Sequence, residues 1–417
     1  MSASKNWSGN VTYTAKDLAE PTSVEELQAV VSATPKVRAL GSRHSFSTIA
    51  DTPDTQVSLT EMPVEVSIDG NARTVTVNAG ARYGDFVEEL DRAGWALGNL
   101  ASLPHISVAG AIATGSHGSG VDNGSLASAV AGIEMVIADG TVISVRRGDP
   151  EFDGMVVALG TLGIVTRVTL DVVPRFEIIQ HVYTSLPWES LVDGFDEVVS
   201  GAYSVSVFTL WDAPDAGSVW TKSIPDAVAS TVPEEYCGAT LARDQRHPLP
   251  DGPAKFATQQ GQAGAWWARL PHFRLEFTPS KGDELQSEYL VAREHAGAAI
   301  EAVRALGPRI RPHLFISELR TIAADPLWLS PSHSVDCLAI HFTWMQHGDE
   351  ITALLHQLER TLAPLGARPH WGKLFRADAR RIASLYPKLR EFRQLAGALD
   401  PEAKFRNDFV DRWLFGA

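Results

Sequence analysis

Apolar residues recur along this 417-residue chain in two periods, and the alternation between them marks out the elements. Near the start Val24, Leu27 and Val31 share one helical face, and Ser23 with Glu26 is a capping-box pattern that opens the helix. The mostly apolar run 37–40 reads as a short buried strand. Residues 64–68 and 74–77 alternate around Asp69-Gly70, a hairpin signal. Residues 83–93 predict a helix with Phe86, Val87 and Leu90 on one face. A second hairpin, 133–145, turns at Asp139-Gly140, and a strand over 166–173 ends near Pro174.

The pattern changes after Phe176. Most of the tryptophans lie between there and Trp371, and long polar loops appear at 242–251 and 258–264. Alternation predicts strands at 204–211, 273–278, 313–321 and 337–345, and longer helices at 284–306 and 350–362. Strands mixed with helices suggest an antiparallel sheet covered by helices, an α+β arrangement. The end, 377–415, reads as helix, loop and helix, with the loop at 400–405. The expected division is 1–176, 177–372 and 373–417. Side-chain parity adds detail. In 338–345 the even positions Leu338, Ile340, Phe342 and Trp344 are apolar, while the odd face carries His341 and Thr343. In 314–320 the even face carries Glu318 and Arg320. On parity alone, a solvated sheet face with an ordinary Glu–Arg pair is the better reading.

Charge and cysteine content narrow the class. A net charge of −14 argues against nucleic acid or an acidic membrane surface as partner. Cys237 and Cys337 match no metal or redox spacing and read as free thiols, which fits a reducing cytosol. Residues 1–7 hold no apolar core of signal-peptide length, and no run is long enough to span a membrane. No His/Cys/Asp/Glu set has metal-ligand spacing, and the G-x-S-x-G elbow of serine hydrolases is absent. His333 and His347 are expected at the surface.

Two stretches carry candidate chemistry. In Leu40-Gly41-Ser42-Arg43-His44-Ser45-Phe46-Ser47 a strand turns on Gly41 among small and hydroxylated residues. Such a turn aims backbone N–H groups at an anion, and glycine admits a bulky ligand. Read alone, it is a strand and turn with a surface histidine. Residues 101–120 are long, almost uncharged and built of small residues, with Leu, Ile and Val at intervals. They suggest a buried backbone track for an elongated ligand. Gly115, Gly118 and Gly120 run in the reverse of the dinucleotide fingerprint. Residues 159–165 mix glycine with apolar side chains and read as a bulged strand. His370-Trp371-Gly372-Lys373 reads as an aromatic turn with a surface lysine.

Together G-S-R-H-S-F, S-L-P-H-I-S-V-A-G, A-T-G-S-H-G and H-W-G-K, in this order, resemble flavoprotein oxidases of the vanillyl-alcohol-oxidase type, and among them those that oxidise alditols. The resemblance implies a PCMH-type FAD-binding domain, a cap domain with an antiparallel sheet, and a C-terminal segment that packs back on the flavin domain. It implies FAD bound covalently through His44, with contacts from Gly41, Ser42, Arg43 and Ser45. Further cofactor contacts are implied for Ser102, Ser107, Gly110, Ala111, Ile112, Ala113, Thr114, Gly115 and His117, and for Gly160, Gly163, Ile164 and Val165 at the adenine half. His105 and His117 are expected to make structural hydrogen bonds. Matching S-E-L-R and H-F-T-W to the family pattern turns the parity reading toward a pocket wall over the flavin. Lys373, His341, Arg320 and Glu318 are then catalytic candidates, and Ser102, Glu318, Arg320 and Thr343 substrate contacts. Lys373 would stabilise negative charge on reduced flavin. His341 and Lys373 both remain candidates for removing the hydroxyl proton. The expected function is oxidation of xylitol, sorbitol or similar polyols to the aldehyde, with O2 reduced to H2O2, by a monomeric cytoplasmic enzyme with no metal. The alternatives are an aldonolactone oxidase or dehydrogenase, and a flavin-binding protein without turnover.

Overall fold

A computed structural model describes residues 4–225, 232–277 and 282–416. Three sheets position the site. The smallest is parallel, in the order Asp17–Ala19, Thr55–Val57, Val37–Ala39. The second is antiparallel, in the order Val66–Asp69, Thr74–Asn78, Ile164–Asp171, Val130–Val136, Val142–Arg146. The third is a large antiparallel sheet. Its centre runs Glu177–Thr184, Ser218–Ser223, Ser204–Thr209, Leu314–Ile322, Cys337–Met345, Glu284–Ala292.

The helices of the second half cover one face of the large sheet. Ala296–Arg304 packs on Trp188–Asp193 and on Gly348–Leu362. The even residues Leu338, Ile340, Phe342 and Trp344 point into this core, where they join Ile300, Leu354 and Leu358. Phe342 stacks on Trp344 with ring centroids 4.8 Å apart. The opposite face, odd in that strand, is left for the polar residues.

Ser23 caps the first helix, Val24–Ala33, by accepting from the Glu26 N–H at 3.2 Å. The reciprocal half of the expected box differs, because the Glu26 carboxylate accepts from the Thr22 N–H instead. Both predicted hairpins form. In the first, Asp69 Oδ1 accepts from the N–H groups of Asn71 and Ala72, which lengthens the turn.

Three expectations need correction. Residues 284–306 do not form one helix: Glu284–Ala292 is a strand, and the helix is Ala296–Arg304. Leu285, Tyr289 and Ala292 also fall at helical spacing, so the strand's residues matched a helical period as well. Residues 273–277 form no strand beyond an isolated bridge from Phe273 to Ala257, and Thr278 lies outside the described residues. Their backbone turns instead to the glycine track, where the Phe273 N–H donates to the Ser102 carbonyl and His105 Nε2 lies 2.9 Å from the Leu275 carbonyl. Near the C-terminus the first predicted helix is two, Ala379–Leu385 and Leu389–Leu399, because Pro387 forces Tyr386 into extended backbone. No helix among the described residues is long and apolar enough to cross a membrane.

The loop after Leu399 returns to the parallel sheet. Lys36 Nζ donates to the Ala403 carbonyl at 2.6 Å, and the Val37 N–H to that of Lys404 at 3.1 Å. Buried Arg38 is the centre of this junction. Its guanidinium donates to the carbonyls of Gly160 at 3.1 Å, Leu159 at 2.7 Å and Phe405 at 2.6 Å, and also to that of Ile49. It therefore ties the strand to two distant turns without a paired carboxylate. Arg38→Met should leave these carbonyls unpaired and lower the unfolding free energy by about 3 kcal/mol. Urea denaturation of both proteins measures this; an unchanged midpoint would show that water replaces the guanidinium.

Candidate active site

One cavity of about 760 Å³ runs from the parallel sheet to the polar face of the large sheet. Its first wall is the turn after Val37–Ala39. Arg43 takes a left-handed backbone, φ 63°, and turns the chain so that Gly41, Ser42, Arg43, His44 and Ser45 all line the cavity. Gly41 sits close against the track: an added Cβ would stand 2.5 Å from Ser107 Oγ. One at Gly110 would stand 2.8 Å from the same hydroxyl. Ser42 and Ser107 lock the two segments, each N–H donating to the other's hydroxyl at 3.3 and 3.1 Å. His44 stacks on Trp7 with ring centroids 5.3 Å apart, and its Nδ1 is buried without a protein partner. Burial first, then the neighbouring His105 and Arg82, lowers its pKa to about 4. The imidazole is therefore neutral at pH 7 and keeps a free lone pair.

The track supplies the second wall. It is not extended throughout, because Val108–Ala113 forms a short helix. Ser102, Ser107, Gly110, Ala111, Ile112, Ala113, Thr114 and His117 line the cavity. Gly115 does not: its φ is 69°, and an added Cβ would meet Pro331 Cδ at 2.9 Å. Its glycine serves a turn packed against the other half of the chain. Gly160, Gly163, Ile164 and Val165 line the far end, where Leu159 and Gly160 make a left-handed turn before the strand Ile164–Asp171 begins. The expected adenine-half contacts thus lie on the same cavity as His44. A long cavity, a backbone cradle that side chains would fill and an unpartnered imidazole fit FAD.

The third wall is the polar face of the large sheet. Register places Glu318 opposite His341, and Thr343 beside Ile316. Glu318, Arg320, His341, Thr343 and Lys373 all line the cavity, with Ser102 across from them. Arg320 Nη1 lies 3.4 Å from Ser102 Oγ, and its Nε 3.5 Å from Glu318 Oε1. The sequence reading missed three members. Glu288, on the strand misread as helix, accepts from Lys373 Nζ at 2.7 Å and from Arg320 Nη2 at 3.0 Å. His272 Nε2 lies 2.9 Å from Glu318 Oε1. Gln286 Oε1 lies 3.1 Å from His341 Nε2. A period-two signal existed for the strand, since Gln286 and Glu288 share one face as Glu318 and Arg320 do.

His117 has a second role beyond its Nδ1 contact with the Gly118 carbonyl: its Nε2 stands 3.3 Å from Glu288 Oε1. Lys373 is not a surface lysine. The turn that carries it is fixed by His370 Nδ1, which accepts the Gly372 N–H at 3.1 Å, and by the Phe46 N–H, which donates to the Gly372 carbonyl at 2.8 Å. His333 is likewise buried, against expectation, beside Asp325. His347 is exposed.

Burial alone would raise the carboxyl pKa values of Glu288 and Glu318. The cations and histidines around them hold both well below the carboxylate range, Lys373, His117 and Arg320 acting on Glu288, and Arg320, His272 and His341 on Glu318. The histidines go the other way. Burial first, then Lys222, brings His272 to about 4; burial first, then Lys373, brings His341 to about 3 and His370 well below 6.5. All three are neutral when folded and gain a proton in the unfolded chain below 6.5. The unfolded state then binds more protons, so this contribution is complete above pH 6.5 and is lost as pH falls toward 4. Calorimetry should show the melting temperature falling between pH 7.5 and 5; a flat profile would contradict neutral buried imidazoles.

Comparison with known proteins agrees with this geometry. Residues 15–146 match the FAD binding domain family, and residues 281–413 match the D-arabinono-1,4-lactone oxidase family. The fold is that of a cholesterol oxidase from B. sterolicum, with a TM-score of 0.80 at 15% identity over 99% of this chain and 96% of that one. The L-gulono-1,4-lactone dehydrogenase of Mycobacterium tuberculosis is 27% identical over 98% of each chain. The alditol oxidase of a Streptomyces strain is 45% identical over 99% of each. By that full-length identity, together with the FAD-binding match, this chain belongs to the alditol oxidase family of FAD-dependent flavoproteins.

Proposed function

We propose that the protein oxidises alditols such as xylitol and sorbitol at a terminal carbinol, with FAD tethered through His44. The observation that carries this reading is the buried Glu318–Arg320 pair, which faces the same cavity as His44. Bound there, FAD would take a hydride from the carbinol carbon and pass the electrons to O2, giving H2O2. The remaining work falls to the chain. Glu318 only accepts hydrogen bonds and Arg320 only donates them, so together they hold neighbouring hydroxyls in opposite senses. Thr343 and Ser102 complete the polyol contacts. His341 Nε2 faces an amide oxygen and so carries the ring proton, which leaves Nδ1 as an acceptor without a protein partner. Its basicity is low, so it takes the hydroxyl proton only in concert with departure of the hydride. Lys373, ion-paired and charged, supplies positive field instead of acting as the base.

The match of residues 281–413 to a lactone oxidase family favours one second reading, an aldonolactone oxidase or dehydrogenase. Peroxide release across alditols, lactones and simple alcohols separates the two. Xylitol and sorbitol should turn over best, and simple alcohols poorly, because a missing hydroxyl strands a buried charged group at a cost of roughly 1–3 kcal/mol. Preference for lactones would replace the polyol reading. Glu318→Gln should lower kcat/KM for xylitol about tenfold or more while FAD stays bound; unchanged kinetics would make the pair a structural feature.

The tether has its own test. The neutral, half-buried His44 imidazole, in the same turn as Ser42, is the nucleophile expected to hold the flavin. Acid-precipitated wild-type protein should stay yellow, and His44→Ala should release its FAD. A colourless wild-type pellet would rule the tether out.

A further inference from the structure

We propose that Glu288 is a positioning residue that keeps Lys373 a cation within the active site and so sets the pH at which the polyol reaction fails. This deepens the polyol-oxidase reading and rests on it. Glu288 stands mid-strand, one strand in from the Arg368–Pro369 edge of the large sheet, 1% exposed. Its Oε2 accepts from Lys373 Nζ at 2.7 Å and its Oε1 from Arg320 Nη2 at 3.0 Å, with His117 Nε2 at 3.3 Å. Its backbone carbonyl accepts the His370 N–H at 3.0 Å. One residue therefore fixes both the turn that carries Lys373 and the ammonium at its end. Both carboxylate oxygens face cations of the protein, so Glu288 acts through Lys373 and Arg320.

The charges around Lys373 make its state conditional. Burial favours the neutral amine, and Arg320 adds to that. Glu288 is the largest opposing influence, with Glu318 behind it. His341 and His370 also face Lys373 and are neutral, with pKa values lowered first by burial. His117 stands on the far side of the Glu288 carboxylate. Two carboxylates thus balance two cations. Glu288→Gln keeps the shape and an acceptor but removes one negative charge. Arg320 cannot shed its proton, so Lys373 is the group that yields.

The test is the pH profile of kcat/KM for xylitol in the FAD-loaded enzyme. Glu288→Gln should move the alkaline limb toward acid by about one pH unit or more, a tenfold change in Lys373 ionisation. Glu288→Asp, charged but shorter, should fall between the two. In a Lys373→Met background the Glu288→Gln change should move no limb. A Glu288→Gln limb at the wild-type pH, whatever the loss of rate or melting temperature, would reduce Glu288 to a fold residue and overturn the proposal. If Glu288→Gln does not accumulate as folded holoenzyme, Glu288→Asp is judged by the same criterion: a shifted limb supports the proposal and an unmoved one overturns it. Absorbance of the oxidised flavin, titrated from about pH 6 to 10 without substrate, reads the same ionisation. An enzyme inactive on polyols would count against the function reading, and this titration would still decide the role of Glu288.

Discussion

Charges taken out of water must be answered by other charges, and the site is built around that requirement. Glu288, Glu318, Arg320 and Lys373 meet where the track, the large sheet and the turn after Pro369 converge. None of them is tolerable there alone, because an unpaired ion in such surroundings is several kcal/mol less stable than in water. Two separate strands and one turn must arrive in register before the set is neutral. Burial first, and then Lys222 or Lys373, lowers the basicity of the surrounding imidazoles and leaves them as uncharged hydrogen-bonding groups. The charged groups are thereby confined to one face of a sheet whose other face carries Leu338, Ile340, Phe342 and Trp344.

That division was legible from the strand at Cys337–Met345, whose two faces differ so sharply in sequence. The turn at His44 and the small-residue track were legible because bulky side chains are excluded where backbone meets ligand. Glu288 was not, for a physical reason. Gln286 and Glu288 do share a period-two face, but the same residues also fit the helix read over 284–306, and nothing in the pattern shows that this polar face is buried. A glutamate between Ser287 and Tyr289 looks like a helix surface until its partners arrive from residues 320 and 373. His272 was hidden for a related reason. It lies in an irregular stretch held by the buried Lys222 ammonium, which donates to the carbonyls of Arg269, Leu270 and Pro271. No period exists in such a segment to reveal which way a ring points.

Gly115 shows the limit of motif transfer. It stands within the A-T-G-S-H-G motif, where Ala113, Thr114, Ser116 and His117 line the cavity, yet its missing side chain makes room for Pro331. Gly118 likewise makes room for Asn99 and the Leu100 carbonyl, so the glycines of this motif answer to packing while its other residues face the cavity.

The junction at Arg38 bears on how the protein is made. Its guanidinium bonds to the Phe405 carbonyl across 367 residues of sequence, and the Val37 N–H is satisfied only by the Lys404 carbonyl. The strand that leads into the His44 turn therefore has no complete set of partners until residues 404 and 405 are in place. Loop closure over such a separation is slow compared with local pairing. The flavin cradle is thus coupled to a segment 367 residues away, and a change at Phe405 reaches the His44 turn through the strand that carries Arg38.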